Sequence, residues 1–249
     1  METLKGGQPL DYPKRLFVCY HAFTGEGKTT QLLTFPPPLH FVNCGDRDIK
    51  HLIERLPENY EIHYEWLVWD VDASAKAESY LQRATAMKNL AIRNGGSFLM
   101  DGSDLFWDFV QAAMVTPGTA LKYKPANEFM FGFWQPLTAA ANLQVGVTAL
   151  AQEIWEGASS TGRYSHGGWK HLDRYIETDV RMFIKEQLVS GQKPVATQNP
   201  TVTHAGYIEA SKKAEYLLRR IFDNLSFASL YKYTFGEAHP EEEKLWKPA

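Results

Sequence analysis

The residues best placed to do chemistry lie within Leu16–Gln31. An apolar run, Leu16 to Tyr20, leads into Thr24-Gly25-Glu26-Gly27 and then Lys28-Thr29-Thr30. Glycines at 25 and 27 let the backbone curl until successive N–H groups face one concavity. A helix starting near Lys28 would add its unpaired N–H groups and the positive end of its dipole. A lysine and a hydroxyl directly after such a turn suit a nucleoside triphosphate. Lys28 would reach the β- and γ-phosphates and Thr29 would hold Mg²⁺, with Thr24 to Thr30 forming the ATP cradle. The strand, loop and helix come in the order a P-loop requires. In the pattern G-x-x-x-x-G-K-[ST] the first glycine is replaced here by Ala22.

A second candidate is Asp101, which ends the apolar run Ser97–Asp101, SFLMD. A carboxylate at a strand end, roughly 70 residues after the loop, is where Walker B acids orient Mg²⁺. Cys19 and Cys44 fall in predicted core strands and read as buried free thiols of a reducing compartment. No Cys/His cluster has zinc spacing.

Positioning these residues takes alternating strands and helices. Leu39–Asn43 reads as a strand running into Cys44-Gly45-Asp46-Arg47-Asp48, and Ile49–Leu56 as a short helix. Tyr64–Val71 reads as a strand, and Ser74–Arg93 as a long helix capped by Asp72 or Ser74 and stopped at Asn94-Gly95-Gly96. A helix follows Asp101 to about Val115. Residues 116–128 read as a loop in which Lys122 and Lys124 flank Tyr123, and Phe129–Asn142 as a helix interrupted near Pro136. Leu143–Leu150 is the next strand. Gly157–Gly168 is rich in glycine and serine and reads as a flexible loop. Trp169–Tyr175 reads as a short helix, Val180–Lys185 as a strand, Lys193–His204 as a polar hairpin or extended excursion, and Tyr207–Phe222 as an amphipathic stretch with helical spacing. The expected fold is α/β, a three-layer αβα arrangement around a mostly parallel sheet. Residues 1–13 would form an N-terminal arm, 14–235 one domain and 236–249 a loosely ordered acidic tail.

The chain has 249 residues, 44% hydrophobic and 22% charged, the balance of an ordinary globular protein. No apolar run approaches the roughly 20 residues that span a membrane. The first residues hold no apolar signal-peptide region, so a cytoplasmic location is expected. The net charge of −3 leaves nucleic-acid binding to local loops.

With these elements in order, residues 14–190 resemble the RecA-like P-loop ATPases. More narrowly, they resemble the short phage and archaeal-virus members regarded as single-strand annealing or recombination ATPases. The resemblance implies an acid at the end of the second strand that activates water; Asp46 is the nearest match and Asp48 a weaker one. It implies a γ-phosphate-sensing polar residue after the strand Leu143–Leu150, filled by Gln152 with Thr148 as a rival. It also implies that Gly157–Gly168 is a mobile DNA-contacting loop carrying Arg163, Tyr164 and His166, with Trp169 and Lys170 just beyond. Lys122 and Lys124 stand where a second DNA loop would be. Cations interleaved with rings suit single strands, since the cations meet phosphates and the rings stack on bases.

The expected activity is therefore Mg-ATP hydrolysis coupled to binding or annealing single-stranded DNA, in a ring or filament of identical subunits. Arg163, Arg174 and Arg181 are alternatives for an arginine offered to a neighbour's nucleotide. Rival readings are a viral DNA-packaging or remodelling motor acting on duplex, and a nucleotide-dependent switch with little turnover.

Overall fold

The computed structural model describes residues 14–68, 70–115, 122–186 and 202–247. The expected N-terminal arm lies outside these. The first strand, β1 (Phe17–Ala22), is buried along its whole length, as its unbroken apolar run demands. A short α1 (Lys28–Leu32) follows, then β2 (Leu39–Asn43), α2 (Lys50–Ile53) and β3 (Ile62–Trp66). Helix α3 (Ala73–Asn94) buries Ala77, Tyr80, Leu81, Ala84, Met87 and Ala91, a stripe at helical spacing. Then come β4 (Gly96–Asp101), α4 (Ser103–Met114) and α5 (Lys124–Ala139). The chain closes with β5 (Leu143–Glu156), β6 (Ser159–His166), β7 (Thr178–Glu186), β8 (Val202–Ser211), β9 (Ile221–Asp223) and α6 (Phe227–Phe235).

The strands form a nine-stranded mixed sheet in the order β3-β2-β4-β5-β1-β7-β8-β9, with β6 paired to β5. From β3 to β7 every neighbouring pair is parallel. The pairs β5–β6, β7–β8 and β8–β9 are antiparallel. Helices α3, α4 and α5 pack on one face around Phe98, Phe106, Phe133 and Trp134. Helices α1 and α6 pack on the other around Tyr20, Phe35, Phe41 and Phe227. The protein is thus α/β, with a mostly parallel sheet between two helical layers. Among the described residues no helix is long and apolar enough to cross a membrane.

Several elements differ from the sequence reading. Gly157–Gly168 is an antiparallel hairpin rather than a flexible loop, because β5 runs on to Glu156 and β6 pairs back along it. Tyr207–Phe222 is the end of β8, a 3₁₀ turn at Glu215–Leu217 and the start of β9, with β8 paired to β7 on one side and to β9 on the other. Most of the excursion read at 193–204 lies outside the described residues, and Val202 already belongs to β8. Helix α5 begins at Lys124, with a proline in its first turn where a missing N–H costs nothing, and it continues through Pro136. The C-terminal segment packs against the body. Leu245 is 6% exposed, and the Trp246 N–H donates to the Tyr60 hydroxyl at 2.7 Å.

Candidate functional site

Because β1, β2, β4 and β5 are parallel, their carboxyl ends share one edge of the sheet. Strand β5 lies between β1 and β4, and the chain leaves β1 into α1 on one face and β4 into α4 on the other. The crevice between those exits is where ligands bind in open α/β sheets. It is a cleft of about 540 Å³, lined by Thr24–Thr30, Asn43, Asp46, Asp48, Asp101, Asp104 and Thr148 among others.

The loop after β1 is closed by local bonds. Gly25 and Gly27 have φ of 89° and 85°, the left-handed region that side chains disfavour. The Glu26 carboxylate accepts from the Phe23 N–H at 2.7 Å. Ala22 is still strand and is not among the residues with positive φ, so its side chain carries no conformational penalty at the loop entry. The Lys28 ammonium folds back over the loop and donates to the carbonyls of Ala22 and Phe23, each at 2.9 Å. Burial lowers the Lys28 pKa, against the pull of Asp101, Asp104 and Glu26.

Asp101 sits at the floor. Thr29 Oγ1 donates to its Oδ2 at 2.7 Å and Thr148 Oγ1 to its Oδ1 at 2.5 Å. Thr148 in turn accepts from the Gly102 N–H at 2.8 Å, which fixes the direction of its hydroxyl proton. Burial pushes the Asp101 carboxyl up, and the Thr148 and Thr29 hydroxyls and Lys28 oppose that rise. A hydroxyl and a carboxylate oxygen side by side, short of positive charge, fit a hard oxygen-seeking cation such as Mg²⁺.

The loop after β2 is held by Asn43, whose Oδ1 accepts from the Gly45 N–H and whose Nδ2 donates to Arg47 O. Asp48 is engaged there, accepting from the Lys50 N–H and the Tyr64 hydroxyl, both at 3.1 Å. Asp46 stands exposed on the cleft rim. Asp104, in the first turn of α4, also lines the cleft, and the Leu150 N–H donates to its Oδ2 at 3.3 Å. The sequence reading passed over Asp104; its three-residue offset from Asp101 across a helix start was the available signal. At Gly168 (φ 87°) a Cβ would stand 2.6 Å from Asp104 Cα, so only glycine lets the end of the hairpin close on α4 here.

The remaining candidates are scattered. Gln152 is exposed on the hairpin opposite Ser165, outside the cleft lining, whereas its rival Thr148 touches Asp101. Arg163 is exposed on β6. Tyr164 lies edge-on to Phe23, with ring centroids 5.6 Å apart, and under the Arg181 guanidinium at 3.8 Å. His166 is buried and paired to Asp173 at 2.6 Å, so its ring is not offered to a ligand. Lys170 is exposed. Lys122 lies over Tyr123, and Lys124 pairs with Glu128 at 3.8 Å at the start of α5. Arg174 is stacked on Phe131.

A second ionic cluster stands beside the cleft. His21, 0% exposed, places Nδ1 2.9 Å from Asp179 Oδ1 and Nε2 3.3 Å from Glu209 Oε2. Burial alone would lower its pKa, but the two carboxylates outweigh burial and raise it to about 9. The imidazole is thus a cation joining β1, β7 and β8. Cys19 and Cys44 are buried free thiols whose pKa burial raises, so neither is a nucleophile at neutral pH. No protein-family model matches this chain, and no curated protein matches it in sequence.

Proposed function

We propose that the cleft binds and hydrolyses Mg-ATP and that turnover serves the pairing or annealing of single-stranded DNA. The observation that carries the ATPase reading is the convergence of the Thr29 and Thr148 hydroxyls on Asp101 below the Lys28 ammonium. Lys28 exchanges its two backbone carbonyls for phosphate oxygens, and the amides of Thr24–Gly27 take the rest of the phosphate charge. Thr29 and Asp101 are the residues that would hold Mg²⁺, which supplies charge neutralisation on the phosphates. Asp46, free on the rim, orients the attacking water and accepts its proton; Asp104 is the competing carboxylate. Thr148 reports the state of Asp101 to β5 and through it to the hairpin. Catalysis of this kind is positioning plus electrostatics. The DNA part of the reading rests on the resemblance of the chain to annealing ATPases and on the exposed Arg163 and the ring of Tyr164 on the hairpin.

The test is steady-state ATP hydrolysis at fixed salt without DNA, with single strands and with duplex at equal phosphate concentration. Stimulation by single strands alone supports the reading. Equal or stronger stimulation by duplex favours a packaging or remodelling motor, and indifference to both removes the DNA role. Lys28→Ala abolishes turnover with an unchanged circular dichroism spectrum; persistent turnover would sink the ATPase assignment.

A further inference from the structure

A larger cleft, of about 770 Å³, opens between the hairpin and the antiparallel strands β7 and β8. Three arginines line it, each from a different element: Arg163 on β6, Arg181 on β7 and Arg219 just before β9. Three rings share the lining, Tyr164, Phe183 and Tyr207. One acid shares the lining, Glu209, against the three arginines, and its Oε2 lies 3.3 Å from His21 Nε2. The cleft is therefore cationic and aromatic together. Arg219 is one of two non-glycine residues with positive φ among those described, and its N–H is pinned to Ile208 O at 2.9 Å. A left-handed arginine backbone persists only where its surroundings over-determine it.

This cleft is mechanically joined to the nucleotide loop. The Phe23 carbonyl is held by Lys28 Nζ, the Phe23 ring meets Tyr164 edge-on, and Tyr164 carries Arg181 on its face. Any ligand that draws Lys28 away from that carbonyl frees the first link of the stack. The Phe23 side chain is half-exposed, with its ring against Tyr164.

We infer that this second cleft, and not Lys122 and Lys124 at the start of α5 or His166, is the surface that grips a segment of single-stranded nucleic acid, and that the Phe23–Tyr164–Arg181 stack makes the grip depend on the bound nucleotide. The inference rests on the single-strand reading above and names its surface. Guanidinium groups from three parts of the chain sharing a lining with rings, one of them stacked under Arg181, suit a polymer of alternating phosphates and bases. The residues it displaces are otherwise engaged: Lys124 with Glu128, Lys122 on Tyr123 and His166 with Asp173.

The test is fluorescence anisotropy of an end-labelled oligodeoxythymidine with the full chain, with and without a non-hydrolysable ATP analogue and Mg²⁺, over a range of salt. Arg219→Ala, at an exposed position, and the double variant Arg181→Ala/Arg219→Ala weaken binding about tenfold or more. They also flatten the salt dependence by roughly 0.7 per lost phosphate contact, while Arg219→Ala leaves DNA-free turnover unchanged. Lys122→Ala/Lys124→Ala stays within about twofold of the parent. Phe23→Ala retains binding but loses its response to the ATP analogue. If the oligonucleotide binds and the arginine variants hold it as tightly as the parent does, the cleft is wrong and the single-strand reading stands. If the parent binds no oligonucleotide, both fall together.

Discussion

Asp101 and His21 are both charged groups tucked into the sheet, two strands apart, yet they are solved in opposite ways. Asp101 has two hydroxyl partners and a lysine that is spending its hydrogen bonds on backbone carbonyls. Its carboxyl is pushed up by burial, the mark of an anion short of cations. His21 has a carboxylate at each ring nitrogen, and its pKa is about 9. The first cluster is left short of positive charge; the second has its cation between its carboxylates. On the proposed function the difference separates a binding floor from a structural clasp, although both would look equally polar in a sequence.

The sharpest way to break this contrast is to remove each charge. His21→Leu leaves the part-buried Asp179 and Glu209 without their cation. Removing one partner of a buried ion pair costs about 3–5 kcal/mol, and the solvent kept by both carboxylates puts this case near the low end, about 3 kcal/mol, read by urea unfolding. Asp101→Asn has the reverse profile. It lowers ATP turnover by about two to three orders of magnitude, or roughly 3–4 kcal/mol in the barrier, while the melting temperature without nucleotide stays level or rises, since a neutral amide pays no ionic desolvation. If Asp101→Asn melts well below the parent, Asp101 is a structural anion and the contrast fails.

A milder probe is pH. The folded-state pKa of His21 lies above its unfolded value of 6.5, so its stabilisation is fully present below about pH 6.5 and is lost as pH rises through about 9. Between pH 7 and 10 the loss is of order 2 kcal/mol. The same scan on His21→Gln lacks this component. Parent stability that is flat over the range would mean that His21 is neutral when folded.

The sequence spoke clearly where apolar runs end in chemistry. Leu16–Tyr20 before the glycines, LHFVN before Cys44 and SFLMD before Gly102 are all strands, because fully buried parallel strands read as unbroken apolar stretches. It was silent where structure comes from distant pairing. GASSTGRYSHGG has no apolar face, and only the extension of β5 makes it a strand. Tyr207–Phe222 carries helix-like spacing in Ala214, Leu217 and Leu218, but β7 pairs Tyr207–Ser211 as strand and only a 3₁₀ turn is left at Glu215–Leu217. Helix α6 hid behind a Ser226–Ser229 capping box in place of the more recognisable acid or amide version. Within the cleft, residue types pointed to Lys28, Thr29 and Asp101, whose spacing is local or falls at a strand end. Choosing between Thr148 and Gln152 needed the register, since Tyr20 opposite Thr148 is what brings that threonine level with the loop.

That choice yields the smallest effect and the finest test of the comparison. Thr148→Val keeps the shape and deletes a hydroxyl that both donates to Asp101 and accepts from the Gly102 N–H. Asp101 then loses one of the two donors that steady its charge, and an amide at the start of α4 loses its partner. Turnover falls about tenfold, about 1.4 kcal/mol, with the larger share in kcat because the hydroxyl touches the floor and not the nucleotide loop. Gln152→Ala, exposed on the hairpin, stays within about twofold of the parent in the absence of DNA. If the two variants exchange their effects, the γ-phosphate is sensed from the hairpin and not from the floor. Asp101 would then be a bystander to the signal, and the sheet edge would have to be read from β5 outward instead of from β4.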